Sequence, residues 1–320
     1  MFTTSFLALN ILIFIAGIGA LLKGSDYFVD GAVVIARKLK VSELAIGLTL
    51  VSIGTSLPEM GTNIYAAIEK QSDITMGNIV GSNLCNVLFI LALSVVIMGV
   101  IPVGRDILKR DMPFMVGSTL LVMSGAYFFG KLNFLWGIAS FVVLGFYMWM
   151  LFRNSKGGAA ASDESESSRI KSVPVALLVM ALSVALITLG AKAMVDNAVW
   201  FSTQMGLNAS VIAVTVVAIG TSLPELAVTL VGVIKKKNDI ALGNIIGSNI
   251  MNVLLILGLS SLISPVMCGG EMLEFYLPAL LVSDLMLIGF VFWGGKLNRI
   301  EGVLMLTEFA AFMIYNVIKL

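Results

Sequence analysis

Polar and acidic residues recur at one spacing in two apolar stretches of this chain. The proline motif, IGTSLPE at 53–59, is repeated at 219–225, and the asparagine motif, GNIVGSN at 77–83, is echoed by GNIIGSN at 243–249. The offset is 166 residues throughout, and residues 50–94 and 216–260 share 25 identities in 45 positions without a gap. A carboxylate beside a helix-breaking proline, duplicated in an apolar chain, predicts an ion site built from two halves.

The proline motif supplies both backbone and carboxylate oxygens. Pro58 has no amide hydrogen and its ring clashes with the preceding turn, so the carbonyls near Thr55 lose their helical partners. Such carbonyls cost several kcal/mol in a membrane unless a group such as a cation satisfies them. A purely structural kink is the alternative, but it leaves Glu59 and Glu225 unexplained, because a carboxylate at membrane depth costs about 2.5–3.5 kcal/mol. We expect the two glutamates to face each other across a pseudo-twofold axis.

Hydroxyl and amide side chains accompany the glutamates at helical spacing. The asparagine motifs and the residues after them place Asn, Ser and Asn four residues apart, so each trio lies on one helix face. Asn78 and Asn244 suit either the ion site or interhelical hydrogen bonds. The candidate ligands with oxygen side chains are Ser52, Thr55, Ser56, Glu59, Ser82, Asn86, Thr221, Ser222, Glu225, Ser248 and Asn252.

These donors are all hard oxygens, which suit Ca²⁺ and Na⁺ better than thiolate-seeking or imidazole-seeking metals. Calcium accepts a flexible shell of about 6–8 oxygens, whereas Mg²⁺ prefers a tight octahedron and keeps its waters. Sodium is close to calcium in size, so the two ions could compete for one cage. Such competition is the basis of an antiporter.

The composition is that of a polytopic membrane protein. Of 320 residues, 58% are hydrophobic and 12% charged, the mean hydropathy is +1.01, and apolar stretches long enough to span a bilayer recur, which indicates helices. The chain has no histidine, which excludes histidine-ligated zinc, a Ser-His nucleophile pair and an imidazole proton relay. A net charge of +1 indicates no nucleic-acid partner. We therefore predict neither an enzyme nor a resident cofactor.

Ten helices are predicted, five in each half. An odd number forces the second copy to enter the membrane from the opposite side, which makes an inverted repeat. The first repeat covers 1–152 with its motif region at 52–86, and the second covers 173–320 with its motif region at 218–252. A Gly/Ala/Ser-rich linker at 153–172 joins them. The helices lie at roughly 4–37, 42–68, 73–99, 112–129, 132–152, 174–204, 208–234, 239–264, 273–294 and 300–318.

The basic residues predict the orientation. With both termini outside, 15 of the 20 lysines and arginines fall in inside loops or the linker, as the positive-inside rule requires. The protein is thus expected in the cell membrane with a cytoplasmic linker at 153–172. The inside residues are Arg37, Lys38, Lys40, Arg105, Lys109, Arg110, Arg153, Lys156, Arg169, Lys171, Lys235, Lys236, Lys237, Lys296 and Arg299.

On its two motifs and its ten-helix layout, the chain resembles prokaryotic members of the sodium/calcium exchanger branch of the cation/calcium antiporter superfamily. The resemblance implies that Glu59, Glu225 and the carbonyls of Thr55 and Thr221 hold calcium. It implies that Asn86 and Asn252 lie beside the central ion position. It also implies sodium ligands in both halves: Ser52, Thr55, Ser56, Glu59 and Ser82 in one half, and the Ala218 carbonyl, Thr221, Ser222, Glu225 and Ser248 in the other.

Two residues depart from the family's usual pattern. Several microbial and potassium-dependent relatives place an aspartate where this chain has Asn252, and Ser52 stands where alanine is frequent.

From the motifs and the resemblance together, we expect exchange of Na⁺ for Ca²⁺ by alternating access, with membrane lipid as the other partner and a monomer sufficient for transport. A proton/calcium exchanger and a passive cation channel are the alternatives.

Five intramembrane acids have no assigned role in this interpretation. Lys23 can pair with Asp26 three residues on, and Lys192 can pair with Asp196 by their spacing of four, so helix-end pairing is expected for the first and sixth helices. A gating or cation-entry role is the alternative for Asp26 and Asp30 and for their repeat partners Lys192 and Asp196. Asp284 and Glu308 either face each other or line a contact between subunits.

Overall fold

The computed structural model describes residues 2–4, 6–155, 172–205 and 218–318. The predicted linker lies mostly outside these residues, as does the first part of the helix predicted at 208–234. The helices are α1 Leu7–Leu39, α2 Glu43–Thr55, α3 Leu57–Ile68, α4 Ser72–Met98, α5 Ile107–Phe129, α6 Phe134–Ser155, α7 Val173–Gln204, α8 Ala218–Thr221, α9 Leu223–Ile234, α10 Asn238–Ile263, α11 Met272–Gly294 and α12 Arg299–Ile318.

The protein is a helical membrane protein. Among the described residues, eight helices are long and apolar enough to span a bilayer, and α2 with α3 would make a ninth, bent span. Helix α9 is a shorter apolar helix of 12 residues. The count of ten helices therefore stays a prediction. Helix α5 begins five residues before its predicted start, because a π-helical turn at Ile107–Asp111 leads into it ahead of Pro113.

Two short β-ladders, absent from the predicted layout, link the halves at the helix ends. Strand β1 (Val100–Pro102) pairs antiparallel with β4 (Lys296–Asn298), and β2 (Lys131–Leu132) pairs antiparallel with β3 (Val266–Met267). Strands of two or three residues carry too little alternation to be seen in the sequence. Each ladder ties a loop of the first half to a loop of the second.

Helices α1 and α7 pack closely and antiparallel. A Cβ built on Gly17 would lie 2.9 Å from the carbonyl oxygen of Gly190, and one on Gly31 would lie 2.6 Å from Cγ of Met180. Residues later in α1 therefore contact residues earlier in α7, so the two helices run antiparallel. Small residues allow this approach of two backbones, as in many membrane helix pairs. Two elements at equivalent positions of the sequence repeat thus run in opposite directions.

The two helices that carry the asparagine motifs form the centre of the molecule. In the apolar window of each span, 78% of the residues of α4 and 94% of those of α10 are buried, against 17% for α12. Since α4 and α10 are shielded on nearly every side, their polar residues must find partners within the protein or bind a ligand. The functional site is therefore to be sought between them and the proline motifs.

Candidate cation site

Both proline motifs interrupt their helices in the same way. Helix α2 ends at Thr55 and α3 begins at Leu57, with a bend of 53° between them. The residue at the break has nearly the same backbone conformation in both copies, with φ −86° and ψ 12° at Ser56 and φ −91° and ψ 8° at Ser222. Each break places a glutamate in the first turn of the following helix, where the helix dipole favours a negative charge.

The two glutamates are buried, and a cross-half contact reaches one of them. Glu59 and Glu225 are each 1% exposed, and no salt bridge within the described part of the chain involves either. Ser56 Oγ donates to Glu225 Oε1 at 2.9 Å and lies 3.2 Å from Ser248 Oγ. The break between α2 and α3 therefore meets α9 and α10 at Glu225, a carboxylate that has no counter-charge among the described residues.

Six buried oxygen atoms of the repeated motifs and the asparagines after them have no hydrogen-bond partner among the described residues. Burying such acceptors unpaired costs free energy, so native proteins nearly always satisfy them with a partner, water or an ion. Their chemistry, with carboxylate, amide and hydroxyl oxygens, is that of a hard-cation shell. All six belong to predicted ligands: Glu59 Oε1 and Oε2, Asn86 Oδ1, Ser222 Oγ, Glu225 Oε2 and Asn252 Oδ1.

The hydroxyls of the first proline motif are partly engaged elsewhere. Thr55 Oγ1 donates to Asn244 Oδ1 at 3.0 Å, which fixes the direction of its hydrogen and leaves its lone pairs available. Ser52 Oγ donates to Thr49 O at 3.0 Å and is fully buried. Ala218 lies in α8, of which the structure describes Ala218–Thr221.

Asn78 and Asn244 hold the helices that follow the breaks. Asn78 Nδ2 donates to Asn63 Oδ1 at 2.6 Å and lies 3.5 Å from the carbonyl of Glu59. Asn244 Nδ2 makes the equivalent contacts, to Thr229 Oγ1 at 3.0 Å and to the carbonyl of Glu225 at 3.4 Å. Interhelical hydrogen bonding, one of the two predicted roles, is therefore present at both positions.

A cavity of about 720 Å³ reaches the remaining candidate ligands. It follows one face of α4 from Asp73 through Gly77 to Ser82, and Thr221 of α8 also lines it. Apolar side chains of α11 and α12 form its opposite wall, among them Phe309. Ser82 and Thr221 thus lie at the inner part of a path along α4.

Asn83 and Asn249 are buried polar residues to which the sequence assigned no role. Each is 1% exposed, and their side chains contact each other's backbone and the amides of Asn252 and Asn86. The signal available in the sequence was their identity at equivalent positions of both asparagine motifs. They lie off the face of the Asn-Ser-Asn trios, so the helical pattern did not single them out.

The predicted pairing of Lys23 with Asp26 is wrong. Asp26 and Asp30 on α1 instead bind Lys235 at the end of α9, with Nζ–Oδ1 distances of 2.7 and 2.6 Å. Partial burial works against the charge of Lys235, but the hydrogen bonds to the two aspartates offset it, and the pKa of Lys235 is raised above its ordinary value. The lysine therefore stays charged at neutral pH.

Two other intramembrane acids have partners in the structure. The predicted pairing of Lys192 with Asp196 is confirmed, at 3.2 Å. Asp284 is fully buried and accepts a hydrogen bond of 2.7 Å from Thr119 Oγ1, which joins α11 to α5. Asp284 therefore binds a residue of α5. Glu308 of α12 is partly buried.

Comparison with known proteins places this arrangement in a family. A family model described as sodium/calcium exchanger protein matches residues 9–153 and 175–318. The chain is 36% identical to the sodium/calcium exchanger MaX1 of Methanosarcina acetivorans, over 96% of this chain and 98% of that relative. It is 35% identical to the inner membrane protein YrbG of Escherichia coli, over 78% of this chain and 79% of that protein.

The fold is also similar to that of a solved relative. The sodium-calcium exchanger NCX_Mj superposes with a TM-score of 0.81 at 29% identity, over 96% of this chain and 98% of that one. Its published structures describe extracellular ion exchange and occlusion of the binding site. Together with the apolar helices, these matches show that the chain is an integral membrane protein of the sodium/calcium exchanger family.

Proposed function

We propose that the protein is a secondary antiporter that exchanges Na⁺ for Ca²⁺ by alternating access, with the ions bound between Glu59 and Glu225. The observation that carries the proposal is the set of six buried, unpartnered oxygens contributed by both halves. Membership of the exchanger family supports cation/calcium exchange, and the relatives MaX1 and NCX_Mj are named as sodium/calcium exchangers.

The charge of the site suits this exchange. Two ionised glutamates carry −2, which one Ca²⁺ neutralises, whereas three Na⁺ would leave a charge of +1. Exchange at that ratio moves net charge and is sensitive to voltage, because a unit charge crossing the membrane is worth about 2.3 kcal/mol per 100 mV. The many hydroxyl and carbonyl donors favour sodium over protons as the counter-ion, since protons would need only the carboxylates.

Calcium is assigned to Glu59, Glu225 and the carbonyls of Thr55 and Thr221. Sodium ions are assigned to positions on either side of the calcium position, and Asn86 and Asn252 are placed beside the central position. The sodium ligands are Ser52, Thr55, Ser56, Glu59 and Ser82 in the first half and the Ala218 carbonyl, Thr221, Ser222, Glu225 and Ser248 in the second.

The architecture proposed for this cycle is two inverted five-helix repeats, at 1–152 and 173–320. The antiparallel packing of α1 and α7 supports it, and the family model matches two segments of similar length. The basic residues favour both termini outside and a cytoplasmic linker at 153–172. Helices α1 and α7 would then move against a core made of the motif-bearing helices.

The test is calcium uptake into vesicles that contain the purified protein. Vesicles are loaded with Na⁺, with K⁺ or at low pH, and diluted into external calcium. We expect uptake only from sodium-loaded vesicles, and more of it when the vesicle interior is made positive, because exchange of three internal Na⁺ for one Ca²⁺ moves one net positive charge outward. Glu274→Gln, at an exposed carboxylate of α11, is the matched control for changes at the site glutamates.

Each of the other outcomes would establish one of the alternative functions. Uptake driven by low internal pH without sodium would establish a proton/calcium exchanger. Uptake that needs no counter-ion would establish a passive cation channel. Either result would overturn sodium/calcium exchange as the function of this protein.

A further inference from the structure

Two buried asparagines cross-link the central helices beside the candidate ligands. Asn83 on α4 and Asn249 on α10 end the two asparagine motifs. Asn83 Nδ2 donates to the carbonyl of Asn249 at 3.2 Å, and Asn249 Nδ2 donates to the carbonyl of Asn83 at 3.3 Å. This reciprocal pair fixes the side-chain amides at the point where α4 meets α10.

The remaining oxygen of each amide accepts a hydrogen bond from a candidate ligand of the opposite half. Asn252 Nδ2 donates to Asn83 Oδ1 at 2.9 Å, and Asn86 Nδ2 donates to Asn249 Oδ1 at 2.9 Å. We call these four residues the amide cross. Asn86 and Asn252 each begin a π-helical turn, a feature frequent at functional sites.

The amide cross decides which end of Asn86 and Asn252 is available to an ion. The two ends of an amide have nearly the same shape, so packing alone does not select one. Here the NH₂ end of each is used, and both Oδ1 atoms stay buried without a partner in the described residues. A reversed amide would place two oxygens against each other and present an NH₂ group to a cation. Both changes cost free energy.

We propose that Asn83 and Asn249 are positioning residues of the ion site, which hold the amide oxygens of Asn252 and Asn86 toward the bound cation. The proposal rests on the proposed exchange function. Each half of the protein thereby orients a ligand that belongs to the other half. Loss of one arm of the amide cross should weaken ion binding through one specified ligand and leave the other in place.

A pair of double-mutant cycles tests this. Asn83→Leu keeps the volume of the side chain but accepts no hydrogen bond, and it is combined with Asn252→Ala in one cycle and with Asn86→Ala in the other. The readouts are the half-saturating calcium concentration and the maximal rate of sodium-driven uptake. Leucine also loses the hydrogen bond to the Asn249 carbonyl, but only the one from Asn252 orients a ligand. We expect Asn83→Leu to raise the half-saturating concentration about tenfold, as loss of that orienting hydrogen bond implies.

The expected pattern is specific to the cross. Asn83→Leu should add little, within about twofold, when Asn252 is already alanine, because neighbours in one hydrogen-bond network are not additive. Its effect should multiply with that of Asn86→Ala, because the hydrogen bond from Asn86 to Asn249 remains in the Asn83 variant. The mirror cycles, Asn249→Leu with each alanine variant, should show the reverse coupling.

The outcomes separate this proposal from the proposed function. If the wild-type protein shows no sodium-driven calcium uptake, the proposed function fails. If the wild type exchanges but Asn83→Leu changes only the melting temperature, or couples equally to both alanine variants, the positioning role is overturned. Asn83→Ala is the second variant should leucine not fold. Failure of both to fold, while Asn252→Ala folds, would show a structural brace and also overturn the proposal.

Discussion

The glycine faces of α4 and α10 have equivalent residues and different neighbours. On α10, a Cβ added to Gly243 or Gly247 would lie 2.9 or 2.7 Å from backbone atoms of α2. On α4, no atom of the described residues lies within 4 Å of a Cβ added to Gly77 or Gly81. Both glycines of α4 line the cavity of about 720 Å³ instead.

This difference concerns the neighbours that the structure describes. Helix α2 covers Gly243 and Gly247 through Gly47 and Leu48, and the repeat equivalents of those two residues, at 213 and 214, lie outside the described residues. Gly77 and Gly81 line the cavity that also reaches Ser82 and Thr221. Under the proposed orientation, Asp73 and this cavity lie on the outer side.

The largest effect on transport is expected at the two glutamates, which occupy equivalent positions in the two halves. We expect Glu59→Gln and Glu225→Gln each to reduce sodium-driven calcium uptake to the level of empty vesicles. Either change removes one of the two charges that balance Ca²⁺, and glutamine keeps the shape and is cheaper to bury, so folding should survive. Uptake assays with size-exclusion profiles of the same samples measure both effects. Near-normal transport by either variant would disprove the paired-glutamate site.

The second prediction tests the glycine comparison itself. We expect Gly247→Ala to lower the free energy of unfolding by about 1–3 kcal/mol, because its methyl group would overlap backbone atoms of α2 that cannot yield easily. The matched change Gly81→Ala meets no neighbouring atom among the described residues and removes a helical glycine, so it should be neutral or stabilising by up to about 1 kcal/mol. Thermal unfolding in detergent compares them. Equal destabilisation would mean that the two faces are not differently packed.

The sequence predicted the repeated motifs, their breaks at proline and the polar faces, because these depend on local spacing. It did not predict which glycine face is packed, since the motifs at 77–83 and 243–249 differ at one residue. The pairing of Asp26 with Lys235 spans 209 residues and competed with a local lysine at the right spacing. Contacts between distant residues, and a choice between two equivalent halves, are not encoded in periodicity.

Smaller effects are expected at the central amides. Asn252→Asp should slow exchange several-fold, because a third negative charge beside the site holds the cation more strongly. The new carboxylate would also face Asn83 Oδ1, which now accepts a hydrogen bond of 2.9 Å from Asn252. If the halves are equivalent here, Asn86→Asp should behave alike.

The same samples test potassium. With two charged ligands, binding Ca²⁺ and K⁺ together would leave the site at +1 in a medium of low dielectric, which is unfavourable. We therefore expect wild-type uptake to be the same with external choline or K⁺. A several-fold requirement for K⁺ in the wild type would show that the site holds more negative charge than two glutamates provide.

The smallest effect concerns a second difference between the halves. Lys235 binds Asp26 and Asp30, whereas the residues equivalent to Lys235 and Asp26 are Glu69 and Lys192, with the charges exchanged. That second pair is not joined by a salt bridge in the described structure, where Lys192 binds Asp196 instead. An ion pair between α9 and α1 is thus formed on one side only.

Lys235→Met should therefore slightly weaken the attachment of α9 to α1. The side chains of Lys235 and its partners are 26–50% exposed, so solvent and salt screen the interaction, and we expect a cost below about 1 kcal/mol that shrinks at high ionic strength. Lys236→Met, at an exposed neighbour, removes the same charge without these contacts and is the matched control. The measurement is the melting temperature and uptake rate of both variants in low and high choline chloride. A salt-independent loss, or an equal loss in both variants, would show that the bridge does not distinguish the two sides.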